Sequence, residues 1–200
     1  MAQVTLNPSA DTYIRSDTAD TNYEATTFYI GERNDAVNAK TRLLIKFDTS
    51  SIPTGSTINS ATLSLYKVLD LSSNARTLYV NYLKRNWLES QATWNSYSTG
   101  NAWQTAGADG ANDVDGTSNG SVSMSATETL DAFKDITIAA TGLTAIGGWV
   151  NGTLSNYGWL LQVDTQVDDA YRYNARDNTN PPKLLIDYTA PPSSSFFAIF

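Results

Sequence analysis

From Thr41 to Tyr66 apolar and polar residues alternate in two runs separated by a turn. Leu43, Ile45 and Phe47 fall on one parity and Arg42, Lys46 and Asp48 on the other, the period of a strand with one buried face. Leu44 breaks the alternation. Ala61, Leu63 and Leu65 then oppose Ser60, Thr62 and Ser64, while Ile58 is out of phase and predicts a bulge or a late strand start. Between the runs, Ser50-Ser51-Ile52-Pro53-Thr54-Gly55 supplies a proline of fixed φ and a permissive glycine.

The same period recurs along the chain. Val4 to Arg15 reads as a strand interrupted at Asn7-Pro8, where the proline suits a bulge or an edge, with Asp11, Tyr13 and Arg15 on one parity. Further strands are predicted at Thr27 to Ile30, Thr77 to Lys84, Ser121 to Ala126 and Asp135 to Ala139. Gly158 to Asp164 and Ala170 to Asp177 read as a pair joined by an acidic turn, and Lys183 to Tyr188 closes the domain. The helical period appears once, at Thr141 to Val150, where Leu143, Ile146 and Trp149 share a face behind a Thr141 cap. Such a stripe is a packing face, and Trp149 reads as core. The pattern is that of an all-β chain with at most one short helix.

Four motifs occur in a fixed order: Phe47 to Tyr66; Glu89 with Ala92-Thr93-Trp94-Asn95; Gly147 to Val163; and Tyr171 to Tyr188. Together they resemble DNRLRE domains, which are grouped with carbohydrate-binding modules, and the likeness runs from about Asp11 to Tyr188. It implies a jelly-roll-type antiparallel β-sandwich and a glycan ligand, with an acidic polysaccharide as one candidate. In that family the late strand reads aromatic, small residue, Ser, Arg, Glu; here Ala175 and Asp177 of Tyr173-Asn174-Ala175-Arg176-Asp177 depart from it.

Composition narrows the chemistry. The 200 residues fit one large β domain, placed at 1–189 and followed by a tail at 190–200. There is no cysteine, hence no disulfide or thiolate metal site, and no histidine, the commonest general base. Carboxylates, Tyr, Lys and Arg remain. Glu32, Asp48 and Glu89 are available for glycoside hydrolysis, which needs a pair of carboxylates, but no motif pairs them, and the chain reads as noncatalytic. A formal charge of −7 opposes nonspecific attachment to nucleic acid or anionic membrane. No stretch is apolar for long enough to span a bilayer, and Met1 to Ile14 has neither the basic nor the apolar region of a secretory signal.

Three stretches carry candidate sites. On the strand Ala170 to Asp177, Arg172, Asn174 and Arg176 share a parity opposite Tyr171, Tyr173 and Ala175, and that face offers donors for an acidic glycan or for neighbouring carboxylates. In Ala106 to Gly120, Asp109, Asn112, Asp113 and Asp115 place four oxygen-bearing side chains within seven residues, which suits either a Ca²⁺ site or a solvated acidic loop; the spacing is not that of an EF-hand. Trp87, Trp94, Tyr97 and Trp103 either line a sugar site or plug one end of the sandwich, and the resemblance, whose Thr-Trp-Asn motif holds Trp94 in Thr93-Trp94-Asn95, implies the plug.

Beyond Tyr188, Pro191-Pro192-Ser193-Ser194-Ser195 reads as a linker, and Phe196, Phe197, Ile199 and Phe200 form an apolar tip. That tip is expected to dock in a groove or add to a sheet edge, on this domain, on another copy or on a different protein. The combined expectation is a noncatalytic surface module, a virion decoration or fibre protein assembling with other subunits or itself through its tail. The alternative is an extracellular module that recognises acidic polysaccharide.

Overall fold

The computed structural model describes residues 1–33, 39–164 and 169–192. Its strands are β1 (Ala2–Leu6), β2 (Pro8–Arg15), β3 (Thr27–Arg33), β4 (Ala39–Phe47), β5 (Thr57–Asp70), β6 (Arg76–Leu83), β7 (Ser96–Ser98), β8 (Asn101–Ala102), β9 (Val114–Met124) and β10 (Ala132–Thr137). After the helix α1 (Ala140–Val150) come β11 (Trp159–Val163), β12 (Ala170–Asn174) and β13 (Lys183–Thr189). All pairings are antiparallel, as the alternating pattern requires of strands with one face in a core.

One curled sheet carries all of these strands except the small β7–β8 pair, in the order β1-β13-β5-β12-β3-β4-β11-β6-β9, with β2 beside β4 and β10 beside β5. Strand β5 turns the corner. Its first part lies between β13 and β10, and from Lys67 to Asp70 it pairs with β12. A single bridge from Gly120 to Ile138 links β9 back towards β10. The sheet therefore folds over itself as an all-β sandwich, with Leu43, Ile45, Phe47, Leu63, Leu65, Val80, Trp159, Leu161, Tyr173, Leu184 and Ile186 buried between its halves. Helix α1 packs against β9 and β5 and contributes Ile146 and Trp149 to that core.

A second core lies on the outside of the sheet. Ile14, Leu44, Leu83 and Leu160 point away from the first core, and Trp87, Ala92, Trp103, Ala108 and Val114 cover them. Leu44 breaks the alternation because the excursion from Lys84 to Asp113 buries this part of the second face as well. The aromatic residues of the excursion thus pack on a sheet face, where the sequence placed them either at a sugar site or at one end of the sandwich.

Several expected details changed. The strands on either side of the Ser50 to Gly55 turn do not pair with each other: β4 lies with β2, β3 and β11, and β5 with β10, β12 and β13. Strands β11 and β12 are not a pair either, since β11 lies between β4 and β6 and β12 between β3 and β5. Strand β9 starts at Val114, seven residues before the predicted start, because pairing with β6 overrides the turn-forming composition of Asp115 to Gly120. Helix α1 begins at Ala140 after Ala139, which makes no side-chain cap bond, and the Thr141 hydroxyl donates to the Ser118 carbonyl at 2.7 Å. The expected irregularities at Pro8 and Ile58 are present as register shifts.

Candidate functional site

Strand β12 sends Tyr171 and Tyr173 into the core and Arg172 to the outside, directly opposite Tyr29 of β3. The Arg172 guanidinium lies 5.8 Å from the Tyr29 ring centroid, and its Nη1 donates to Tyr29 Oη at 3.4 Å. Arg172 Nε makes no hydrogen bond within the protein. Asn174 is buried and donates from Nδ2 to the Asn180 carbonyl at 3.3 Å. The strand ends there, so Arg176, which the alternation placed on the same face, lies on the following turn.

Arg176 belongs instead to a carboxylate-rich cleft of about 260 Å³ lined by Asp11, Glu24, Ala25, Thr26, Glu89 and Asp177. Its main-chain N–H donates to Asp11 Oδ2 at 2.8 Å, its Nη1 to the Ser9 carbonyl at 3.2 Å, and its Nε is 2.9 Å from Glu89 Oε1. The Asp11 main-chain N–H donates to the same Glu89 oxygen at 2.9 Å. Burial pushes the Asp11 carboxyl up to about 7; the hydrogen bond from Arg176 opposes the rise, and the negative charges of Glu89 and Asp177 add to it. Asp11 was the residue missed by sequence reasoning. Its parity, shared with Tyr13, was the available signal; the structure buries Tyr13 in the core and sets Asp11 opposite Ile45.

The carboxylates considered for hydrolysis are dispersed. Glu32 is buried in β3, exposed Asp48 accepts the Ser50 N–H at 2.9 Å, and Glu89 is held by Arg176. Asp48 and Glu89 line different cavities.

The acidic stretch after Ala106 is built around one residue. Asp113 is 0% exposed; its two oxygens accept the main-chain N–H groups of Gln104 at 2.9 Å, Thr105 at 3.0 Å and Gly110 at 3.2 Å, with Arg85 Nε at 3.3 Å. Asp109 is 3.2 Å from Arg42 Nη1. Asp115, on β9, accepts the Thr117 N–H at 3.0 Å, and the Asn112 N–H donates to Gln104 Oε1 at 2.7 Å. Among the described residues no three His, Cys, Asp or Glu side chains gather in a way that could hold a metal ion. Phe196, Phe197, Ile199 and Phe200 lie outside the described residues.

Trp87 and Trp103 are buried, with their ring N–H groups donating to the carbonyls of Tyr157 at 2.7 Å and Thr93 at 2.9 Å. Trp94 is half-buried beneath Arg42, whose guanidinium is 5.2 Å from the ring centroid and donates to the Gly107 carbonyl at 2.6 Å. These contacts fasten the excursion to β4. No helix among the described residues is long and apolar enough to cross a membrane.

The model of carbohydrate-binding module family 96 matches residues 2–188, which takes in every strand from β1 to β12 and nearly all of β13. No curated protein matches the chain.

Proposed function

The chain belongs to carbohydrate-binding module family 96, and on that premise we propose that it is a noncatalytic module that grips acidic polysaccharide through the outer face of its curled sheet. The observation that carries the acidic preference is Arg172 set against Tyr29. A tyrosine ring offers an apolar surface to the C–H face of a pyranose, and a guanidinium offers paired donors to a uronate carboxylate. Arg172 is only partly buried, so the outer end of its guanidinium is the donor this reading uses. Arg176 is engaged by Glu89 and Asn174 by Asn180, so they serve this reading by holding the strand and its turn in place. The test is affinity electrophoresis in gels containing polygalacturonate. The native chain is retarded and Arg172→Ala loses at least tenfold in affinity; equal retardation of the two removes Arg172 from the site.

Display on a larger assembly extends this reading, with the sequence resemblance to DNRLRE domains as its background. In it the module is carried on a virion surface, as a decoration or fibre protein, and Phe196, Phe197, Ile199 and Phe200 anchor it to other subunits or to a second copy. Extracellular display is the alternative. What supports the assembly reading is the apolar run behind Pro191-Pro192 and the acidic, cysteine-free composition. Light scattering of the full chain beside one ending at Thr189 tests self-association: an oligomer that becomes monomeric on truncation supports it, and two monomers exclude it.

A further inference from the structure

A wide concavity among the described residues lies away from Arg172. Its walls follow from two periodicities. Thr141, Thr144, Ala145 and Gly148 share one face of α1, and Asp115, Thr117 and Asn119 share one face of β9. Tyr82 of β6, Lys84 just beyond its end, and the segment Thr153, Leu154, Ser155 and Tyr157 complete a groove of about 870 Å³. That volume is in the range of small-molecule and oligosaccharide sites, and far above that of a packing defect.

Asn119 is the built feature. It is only 3% exposed, it lines the groove, and its side-chain Oδ1 has no hydrogen-bond partner, although a buried amide oxygen normally finds one. The helix presses close at this point. A Cβ at Gly142 would stand 2.4 Å from the Asn119 main-chain oxygen, so only glycine allows the approach, and the Ala139 N–H donates to that oxygen at 2.7 Å. Asn119 is thereby fixed in place with an acceptor left over.

The rest of the lining is hydroxyl and ring. The Thr141 and Thr144 hydroxyls donate to the carbonyls of Ser118 and Ala140, at 2.7 and 2.9 Å, which leaves their oxygens as acceptors towards the groove. Tyr82 Oη donates to the Ser155 carbonyl at 2.8 Å, and its ring rests on Trp149 with centroids 6.1 Å apart. Tyr157 is positioned through its carbonyl by Trp87 Nε1. The charged side chains are one lysine and one aspartate, and both are engaged: Lys84 Nζ donates to the Ala111 carbonyl at 3.1 Å and Asp115 accepts from Thr117.

We infer that this groove binds an uncharged, hydroxyl-rich oligosaccharide, with Asn119 Oδ1 accepting from a sugar hydroxyl and Tyr157 and Leu154 covering apolar C–H faces. The ligand class rests on the carbohydrate-binding reading; the location and the absence of net charge rest on the groove itself. The chain then has two saccharide surfaces of different character, a cationic one at Arg172 and a neutral one here.

The experiment is amide shift mapping by NMR with cellohexaose, xylohexaose and mannohexaose as probes, run in parallel with polygalacturonate. At least one neutral hexasaccharide is expected to shift residues 117–119, 141–148 and 153–157. Tyr157→Ala should weaken it tenfold or more, and Thr144→Trp, which fills the groove from an exposed helix position, should abolish it while the spectrum stays that of the folded chain. Neutral probes that shift only the Tyr29 and Arg172 region overturn the inference. So does binding of polygalacturonate alone, which leaves the carbohydrate reading standing. If neither neutral probes nor polygalacturonate bind, both fail together.

Discussion

Arg176 and Glu89, 87 positions apart in the chain, meet at 2.9 Å and join the turn after β12 to the excursion that leaves β6. The Glu89 oxygen in this pair also accepts the Asp11 main-chain N–H, so three segments close on one carboxylate. Removing either partner leaves the other charge beside Asp11. Glu89→Ala and Arg176→Ala are each expected to cost about 1–2 kcal/mol, tempered by partial exposure, and the double variant less than the sum. Urea unfolding checks this, and additive losses would show that the two residues act separately.

The buried Asp11 gives stability a pH dependence of definite sign. Its folded pKa, about 7, lies above the ordinary carboxylate value, so its folded state holds a proton that the unfolded chain releases. Its contribution is therefore most favourable below pH 4 and is lost as pH rises from 4 through 7. Glu128 acts in the opposite sense at lower pH. Burial opposes its ionisation, but the Ser125 N–H and the ammonium groups of Lys134 and Lys67 outweigh it and hold the carboxyl at about 2, so its contribution is present above the usual value and is lost as pH falls from 4.5 towards 2. Thermal midpoints from pH 4 to 8 should decline less steeply for Asp11→Asn than for the native chain; parallel profiles would contradict the assignment.

Asp113 organises its loop from within. Asp113→Ala strips the acceptor from three main-chain N–H groups and leaves Arg85 without its carboxylate, an expected loss of about 3 kcal/mol, while Asp113→Asn keeps one acceptor and loses less. Because these oxygens already accept protein donors, chelator should leave the thermal midpoint unchanged. A midpoint that rises with added Ca²⁺ and falls with chelator would restore the calcium alternative for Asp109, Asn112, Asp113 and Asp115.

The second core makes the excursion part of the folded unit. Trp87 is 1% exposed, and Trp87→Ala should cost about 3–5 kcal/mol, with Trp87→Phe losing less while still giving up the bond to the Tyr157 carbonyl. Gly107 has φ +86°, and a Cβ there would stand 2.7 Å from the Trp94 ring, so Gly107→Ala should also destabilise through both strain and clash. Wild-type denaturation midpoints for these variants would mean that the excursion folds independently of the sheet.

These outcomes show where the sequence was legible. The strands around Leu43, Leu63 and Val80 announce themselves because one face meets the core and the other meets solvent or polar neighbours. Leu44 was visible as an apolar residue out of phase, yet its reason lay in Trp87 and Trp103, some forty to sixty positions away. Asp115 to Gly120 has the composition of a turn and becomes strand because β6 supplies partners for its backbone, a tertiary gain that local propensity does not contain. The candidate face was half legible: parity put Arg172 outside correctly, but the end of β12 at Asn174 and the capture of Arg176 by Glu89 depend on chain closure. The groove at Asn119 was invisible because its two walls, α1 and β9, meet only in the folded molecule.

Polysaccharide binding without turnover is the central claim, and isothermal titration of the chain with polygalacturonate and with a neutral hexasaccharide panel, followed by assay of the same samples for new sugar ends, tests it most directly. Saturable binding to at least one of these ligands with no new ends over prolonged incubation is the predicted result. Absence of binding to all of them, or steady release of new ends that a single carboxylate substitution abolishes, would contradict the account.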